Sequence, residues 1–307
     1  MLESAGMAGP PLGAALPGAT GPIGVFDSGF GGLTVLGALR ERLPAYDYLY
    51  LGDSARVPYG NRSHEIVYEF TREAVFELFA RGCSVVVIAC NTASARALRR
   101  IQQEDLPTRA PDRRVLGVVR PSAEALAGLP PGAIPGVTAP ALVTGTVAVV
   151  ATQGTVASDS YRLELTKLAP GLKLVQQACP LWVPLVEAGE TEGPGTEYFL
   201  RKYLEPLFAP GADAPSRILL GCTHYPLLLN GIRAQVPLDV ELLAQGPLVA
   251  ARLEDWLLRH PEMEQRVSRK GTYEALTTDD PGWFKAFSEK VLGTPSEPTK
   301  IRLAPIA

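Results

Sequence analysis

The sequence is poor in the residues that most often hold metals and cofactors. Its 307 residues include only four cysteines and three histidines, and the first lysine is Lys167. The cysteines, at positions 83, 90, 179 and 222, show no CxxC or CxxH spacing, and a disulfide framework is not expected in a cytoplasmic chain. Pyridoxal phosphate needs a lysine for its Schiff base. Neither a metal nor a cofactor is therefore expected.

The sequence also lacks a strong charge of either sign and any long apolar run. Its formal net charge is −3 and its pI is near 5.8, so no nucleic-acid partner is expected. No run approaches the ~20 apolar residues of a membrane span, and Pro and Gly interrupt residues 1–20, which have no signal-peptide pattern. These absences predict a cytoplasmic protein without a membrane segment. Residues 1–20 are interpreted as a disordered extension.

What the sequence does contain is a series of short apolar runs that end in small polar or glycine-rich residues. The runs are PIGVFDSGFGG, YDYLYLGDSA, SVVVIACNTAS, TVAVVATQGT, KLVQQACP and RILLGCTHYP. Helical periodicity follows them, and this alternation is typical of parallel sheets built from βαβ units. The predicted class is α/β, with two pseudosymmetric domains, each a mainly parallel sheet flanked by helices, and an active site in the cleft between them.

The domain boundaries are predicted from the distribution of proline and glycine. These residues crowd the segment 106–140 and indicate a change of domain. The first domain is expected at residues 21–115 and the second at 116–230. Residues 231–307 are expected to return to the first domain and to include a strand, a helix and a strand at TYEALTTDD, PGWFKAFSEKVL and TKIRLAPI.

Two of the cysteines have matching surroundings. Cys90 and Cys222 each follow an apolar run directly, at the strand ends where parallel sheets bind ligands. Each also precedes a predicted helix, whose N-terminal partial positive charge is expected to favour the thiolate. Cys83 and Cys179 lack this context and are interpreted as structural.

Polar residues near the two thiols are candidates for assisting proton transfer. Asp27 and Asp53 end strands, and Glu187 lies in LWVPLVEAGE. A strand-end Asp is also a common helix cap or turn former, so both interpretations remain open. His224 lies two residues after Cys222, in a strand-end loop, and is expected to be functional.

Two matched thiols favour proton exchange over acyl transfer. Inversion of a carbon centre needs a base on one face and an acid on the other, and two cysteines from two pseudosymmetric domains supply both. A thiol hydrolase or lyase would use Cys222 with His224 and would leave Cys90 only a structural role. A purely binding protein, such as a two-domain receptor, would explain neither thiol.

Six segments carry a resemblance to a known family. They are DSGFGGLTVL, YLGDSARVPYGNRS, ACNTASA, ATQGTVAS, PLVE and GCTHYPLL, in this order. Together they resemble the signature segments of the glutamate racemase family, in the cofactor-independent aspartate/glutamate racemase superfamily. The resemblance implies a D/L-glutamate site between two α/β domains, no cofactor, and a supply of D-glutamate for bacterial peptidoglycan. A homodimer is also expected.

The resemblance assigns roles to particular residues. Cys90 and Cys222 are the implied acid/base pair, with Cys90 acting on D-glutamate and Cys222 on L-glutamate. Asp27 is expected to assist Cys90, and His224 and Glu187 to assist Cys222. The residues expected to bind substrate are Asp27, Ser28, Asp53, Tyr59, Gly60, Asn91, Thr92, Thr152, Thr155, Thr223 and His224.

Two departures from the family's pattern bear on this interpretation. LLAQGP, at residues 242–247, stands where an acidic and serine-containing segment is common, which bears on regulation or packing there. Ala151 stands where glycine is expected in ATQGT. Aspartate or another acidic amino acid is the alternative substrate, although the complete PYGNRS and GCTHYPLL segments favour glutamate.

Overall fold

Strands and helices alternate along the chain in the computed structural model, which describes residues 20–134, 137–138, 140–294 and 296–306. Residues 1–19 of the predicted extension lie outside the described residues. The strands are β1 (Ile23–Asp27), β2 (Tyr48–Gly52), β3 (Val85–Ile88), β4 (Arg114–Gly117), β5 (Thr146–Ala151), β6 (Lys173–Ala178), β7 (Arg217–Gly221), β8 (Glu241–Leu243), β9 (Tyr273–Thr277) and β10 (Thr299–Lys300).

The helices connect these strands. They are α1 (Leu33–Arg42), α2 (His64–Ala80), α3 (Asn91–Arg96), α4 (Leu98–Arg100), α5 (Leu106–Arg109), α6 (Val119–Leu126), α7 (Gln153–Ala157), α8 (Ser160–Leu168), α9 (Trp182–Glu187), α10 (Pro194–Leu204), α11 (Leu229–Gln235), α12 (Gln245–Arg259), α13 (Pro261–Glu264) and α14 (Pro281–Leu292). Ser54–Arg56, Glu205–Phe208 and Tyr225–Leu228 are 3₁₀ turns, and Ile101–Asp105 is a π-helical turn. None of the helices in the described ranges has the length and apolar character needed to span a bilayer.

The strands form two sheets. In the described part of the chain the first sheet has the order β10-β9-β2-β1-β3-β4 and the second the order β6-β5-β7-β8. All pairings within both sheets are parallel. The predicted class, α/β with two parallel sheets flanked by helices, is therefore confirmed. The predicted strand, helix and strand near the C-terminus are also confirmed, as β9, α14 and β10.

The two sheets repeat one topology. In the first, β1 lies between β2 and β3, and β4 pairs with β3; in the second, β5 lies between β6 and β7, and β8 pairs with β7. Cys90 comes two residues after β3, and Cys222 comes directly after β7. The two thiols therefore lie near equivalent strand ends, which accounts for their matching sequence contexts.

Both predicted internal boundaries are wrong, because each separates the fourth strand of a repeat, in part or as a whole, from the sheet to which it belongs. The first boundary, between residues 115 and 116, cuts β4, which pairs with β3 along its whole length. β8 lies beyond residue 230 but pairs with β7 in the second sheet. The return to the first sheet therefore begins with α12, which packs against α1. β8 has only three residues, too few for the apolar or alternating pattern that indicates a strand.

Apolar side chains cover both faces of each sheet. The first sheet packs on α1 and α12 on one face and on α2 on the other. The second packs on α9, α10 and α11 on one face and on α6 and α8 on the other. Strands buried on both faces have nearly continuous apolar sequences, which explains the runs seen in the sequence. The polar residues that follow them lie at the carboxyl ends of the strands.

Candidate active site

Cys90 caps the N-terminus of α3 and is buried. Its Sγ accepts a hydrogen bond from the Ala93 N–H at 3.5 Å and lies 3.3 Å from Ser28 Oγ. Burial, followed by the charge of Asp27, raises the pKa of Cys90 to about 12, and the hydrogen bonds with Ser28 and Ala93 only partly oppose this. The helix N-terminus favours the thiolate through the Ala93 N–H, as expected, but burial outweighs this effect. The resting group is a thiol.

Cys222 has different surroundings. Its Sγ lies 3.8 Å from His224 Nδ1, and His224 Nε2 lies 3.2 Å from Glu187 Oε1. Burial is the largest effect on the pKa of His224 and lowers it, but the contacts with Cys222 and Glu187 together raise it to about 10. A protonated imidazole stabilises negative charge on a neighbouring sulfur. The two thiols therefore have different charged neighbours, Asp27 for Cys90 and His224 for Cys222.

Asp27 lies where the loops of the two sheets meet. It ends β1 and is fully buried. Its Oδ2 accepts a hydrogen bond from the Gly29 N–H at 3.0 Å, and its Oδ1 accepts one from Thr223 Oγ1 at 3.4 Å. Burial raises the pKa of Asp27, and the nearby charge of His224 opposes this shift. One carboxylate thus acts on the surroundings of both thiols.

Two glycines after β1 permit close packing around Asp27 and His224. A Cβ on Gly31 would lie 2.5 Å from His224 Nδ1, and a Cβ on Gly32 would lie 2.4 Å from the Cβ of Asp27. No other residue fits without a shift of its neighbours. SGFGG was only a weak signal for a phosphate loop in the sequence. The structure gives these two glycines a packing role beside the site.

Asp53 and Tyr59 form a buried pair in the first half. Asp53 Oδ2 accepts hydrogen bonds from Tyr59 Oη at 2.5 Å and from Arg56 Nε at 2.6 Å. Its Oδ1 accepts one from Thr278 Oγ1 at 2.9 Å. Burial and then the charge of Asp53 raise the pKa of Tyr59 well above its ordinary value. Both oxygens of Asp53 are thus used inside the protein, and substrate contact by this pair stays a prediction.

Hydroxyl groups from the two halves meet at a cluster of threonines. Thr92 Oγ1 lies 3.0 Å from Thr152 Oγ1 and 3.4 Å from Thr155 Oγ1. Thr152 also caps α7, because its Oγ1 accepts a hydrogen bond from the Thr155 N–H at 3.3 Å. Gly60 packs on Thr152: a Cβ on this glycine would lie 3.3 Å from Thr152 Cβ. The structure therefore brings these four predicted residues together.

Asn91 is bound by side chains that the sequence alone did not indicate. Its Oδ1 accepts hydrogen bonds from Tyr161 Oη at 2.6 Å and from Gln245 Nε2 at 3.1 Å, and its Nδ2 donates to Gln245 Oε1. The only signal for Gln245 was the departure at LLAQGP. Both ends of the Asn91 amide are hydrogen-bonded within the protein, and its contact with substrate stays a prediction.

The remaining cysteines pack in the apolar layers of the two sheets. Cys83 is fully buried under α2, and burial raises its pKa to about 12. Cys179 is fully buried and its Sγ contacts the Gln177 carbonyl oxygen at 3.7 Å. Among the described residues, no group of three or more His, Cys, Asp or Glu side chains is placed to hold a metal ion.

The raised pKa of His224 predicts a pH-dependent contribution to stability. Because the folded-state pKa of about 10 exceeds the ordinary value of 6.5, this contribution is fully present below pH 6.5 and is lost as the pH rises through about 10. At pH 6 we expect His224→Asn to lower the free energy of unfolding by about 2 kcal/mol, the scale of hydrogen bonds to a charged group. Urea unfolding at several pH values measures whether this difference shrinks towards pH 10.

The exposed His64 offers the matched control. His64→Asn removes an exposed imidazole, so its free energy of unfolding should stay close to that of the wild type at every pH tested. A stability difference for His224→Asn that stays constant over this range contradicts the contribution of a protonated His224.

The sequence matches a known family over most of its length. Residues 31–252 match the Asp/Glu/Hydantoin racemase family. The chain therefore belongs to this family and is an enzyme of the isomerase class.

Individual relatives agree with this assignment. A glutamate racemase from Ruegeria pomeroyi is 42% identical over 265 residues, which cover 84% of this chain and 92% of the relative. A glutamate racemase isoform from Bacillus anthracis superposes with a TM-score of 0.80, at 30% identity, over 92% of this chain and 98% of that one. Glutamate racemase from Francisella tularensis in complex with D-glutamate gives a TM-score of 0.77, at 30% identity, over 92% and 97% of the two chains.

Proposed function

We propose that the protein interconverts L- and D-glutamate by moving protons between the substrate Cα and two cysteines, Cys90 and Cys222. The observation that carries the proposal is the pair of buried thiols near equivalent strand ends of two sheets whose loops contact each other. The relatives described above as glutamate racemases support glutamate as the substrate.

The proton balance follows from the two thiols' surroundings. Starting from L-glutamate, the thiolate of Cys222 takes the Cα proton, and the thiol of Cys90 donates its proton to the opposite face of the same carbon. The product is D-glutamate. This direction matches the surroundings of the two thiols, because burial raises the pKa of Cys90 to about 12 and the His224 imidazole lies 3.8 Å from the Cys222 sulfur. From D-glutamate the two thiols exchange roles.

Each turnover leaves the thiols in the opposite protonation states, so the enzyme must be reset. Once Cys222 carries the Cα proton, the imidazolium of His224 releases one proton to solvent through Glu187, whose side chain is 30% exposed. The neutral imidazole then accepts the Cys222 proton, which restores the thiolate beside a protonated His224. On the other face, Ser28 contacts Cys90 directly and Asp27 is close enough to act on its charge. These two residues return a proton to Cys90.

The charged groups of glutamate find complementary partners among the predicted residues. Hydroxyl donors from both halves, on Thr92, Thr152 and Thr223, suit a substrate carboxylate. The carboxylate of Asp27 suits the substrate ammonium group. By family resemblance, the product D-glutamate supplies peptidoglycan synthesis in the cytoplasm, and a homodimer stays a prediction.

A chiral assay with each enantiomer of glutamate tests the proposed function. Both reactions should converge on equal amounts of L- and D-glutamate, because mirror-image molecules have equal free energies. Aspartate is one methylene shorter and should react with a kcat/KM about 10- to 200-fold lower. Equal or faster reaction of aspartate would assign the enzyme to the shorter substrate, and no inversion of either amino acid would overturn the proposal.

Racemisation is expected to need no pyridoxal phosphate. The motivation is the absence of lysine from every strand-end loop that carries a candidate residue, since that cofactor is held by a lysine. Activity should survive dialysis against hydroxylamine, which strips carbonyl cofactors, and dialysis against a chelator. Loss of activity that added pyridoxal phosphate restores would contradict this prediction.

A further inference from the structure

A closed ring of hydrogen bonds lies behind the Cys90 loop. Asn91 Nδ2 donates to Gln245 Oε1, Gln245 Nε2 donates to Tyr161 Oη at 3.0 Å, and Tyr161 Oη donates to Asn91 Oδ1 at 2.6 Å. The second proton of Gln245 Nε2 goes to Ser122 Oγ at 2.8 Å, and Ser122 Oγ donates to the Val118 carbonyl at 2.7 Å. Tyr161 and Ser122 are fully buried, and Asn91 and Gln245 are each 2% exposed.

Each polar group in the ring has a buried partner. The two protons of Gln245 Nε2 face three acceptors, the Ser122 and Tyr161 hydroxyls and, at 3.1 Å, Asn91 Oδ1, so one proton is shared between two acceptors. Each hydroxyl passes its own proton onward to a carbonyl oxygen. A ring of this kind is rigid, because losing any one member leaves buried polar groups without partners. Gln245 is central to the ring, since it contacts all three of the other side chains.

The ring joins the Cys90 loop to the second half of the molecule. Asn91 begins α3 and directly follows Cys90, whereas Tyr161 lies on α8 and Ser122 on α6, both packed on the second sheet. Gln245 begins α12, directly after β8 has left that sheet. The next residue, Gly246, packs on α1: a Cβ there would lie 3.0 Å from the Thr34 carbonyl oxygen. The backbone on both sides of Gln245 is thus constrained, by β8 before it and by the packing of Gly246 on α1 after it.

We propose that Gln245 is a positioning residue for the proton transfer at Cys90, acting through Asn91. The inference rests on the proposed function. The ring fixes the start of α3 relative to the second sheet, and with it the direction of the Cys90 sulfur towards a substrate Cα held between the two halves. Small misplacements of a reacting group cost up to about 100-fold in rate. The glutamine in LLAQGP therefore fixes the geometry at the Cys90 face of the site.

The test compares Gln245→Met, which keeps the chain length and removes the amide, with the wild type. We expect kcat to fall roughly 10- to 100-fold with little change in KM, because ground-state binding does not depend on the thiol. Cα-deuterated substrates locate the slowed step. The isotope effect on kcat/KM should rise with D-glutamate, whose deuteron Cys90 removes, and should fall with L-glutamate, whose deuteron Cys222 removes before Cys90 acts.

Two further variants separate positioning from stability. Tyr161→Phe opens the ring with little change in volume and should shift both isotope effects in the same directions by smaller amounts. Tyr48→Phe removes a similarly buried hydroxyl, hydrogen-bonded to the Leu39 and Leu43 carbonyls at the amino end of β2, whereas Cys90 follows the carboxyl end of β3. It should lower the melting temperature and leave both isotope effects unchanged. If Gln245→Met and Tyr161→Phe behave like Tyr48→Phe, Gln245 is only structural and the inference is overturned.

An activity-independent measurement distinguishes this failure from failure of the proposed function. Alkylation of Cys90 and Cys222 by iodoacetamide can be followed by mass spectrometry of the separate peptides. In Gln245→Met the rate at Cys90 should rise several-fold relative to that at Cys222, because loosening the start of α3 exposes a buried thiol. An unchanged ratio contradicts the inference even if glutamate proves not to be the substrate.

Discussion

Replacing either Cys90 or Cys222 by alanine is expected to lower the rate of glutamate inversion at least about 1,000-fold in both directions. Removal and return of the Cα proton are serial steps, and each needs a group on its own face of the substrate. The thiols lie on different sheets and contact different partners, Ser28 for Cys90 and His224 for Cys222, so one cannot replace the other. Initial rates by chiral chromatography, starting from each enantiomer, measure the loss.

Each variant should retain the half-reaction of its remaining thiol. In deuterium oxide, Cys90→Ala should exchange the Cα proton of L-glutamate without inversion, because Cys222 both removes and returns the proton. Cys222→Ala should do the same with D-glutamate only. Cys83→Ala is the control: this thiol is buried in an apolar layer, so its loss should cost about 1 kcal/mol of stability and leave inversion intact. Inversion at near wild-type rate in Cys90→Ala contradicts the two-thiol mechanism.

The sequence was sufficient to predict the parts of the site that local pattern determines. SVVVIAC and RILLGC are apolar runs that end in a thiol, and burial on both sheet faces requires such runs. Because parallel strands end on the same side of a sheet, each polar residue after a run must lie at that side, where such sheets bind ligands. Cys90, Asp27 and Cys222 were predictable for this reason, and the structure brings Asp27 to within hydrogen-bonding distance of Thr223, next to Cys222.

Features that depend on long-range contacts were not predictable. Gln245 lies 154 positions from Asn91 along the chain, and nothing in LLAQGP indicates that its amide completes a ring. The protonation of Cys90 depends on burial by residues from several elements, whereas the helix N-terminus that favours a thiolate is visible in the local sequence. β8 is defined by its pairing with β7 more than by its own three residues. In each case the local sequence does not show which distant residues of the chain will be in contact.

The two faces of the site should respond differently when their supporting groups are removed, and primary isotope effects detect this. At equilibrium the ratio of kcat/KM for the two enantiomers is fixed, so a damaged enzyme slows equally in both directions. The isotope effect with a Cα-deuterated substrate instead reports how far the removal step limits the rate. Slowing Cys222 makes removal from L-glutamate more limiting, and it makes the later return step more limiting when the reaction starts from D-glutamate.

His224→Asn is therefore expected to raise the isotope effect on kcat/KM with deuterated L-glutamate and to lower it with deuterated D-glutamate. The reason is that this variant removes the imidazole 3.8 Å from the Cys222 sulfur, and with it the positive charge that stabilises a thiolate there. Asp27→Asn should show the reverse pattern, because the charge of Asp27 acts on Cys90. Its effect should be smaller, since the same carboxylate accepts a hydrogen bond from Thr223 beside Cys222, and removing its charge disturbs both faces. Equal isotope effects from both enantiomers in both variants would show that these residues do not serve separate thiols.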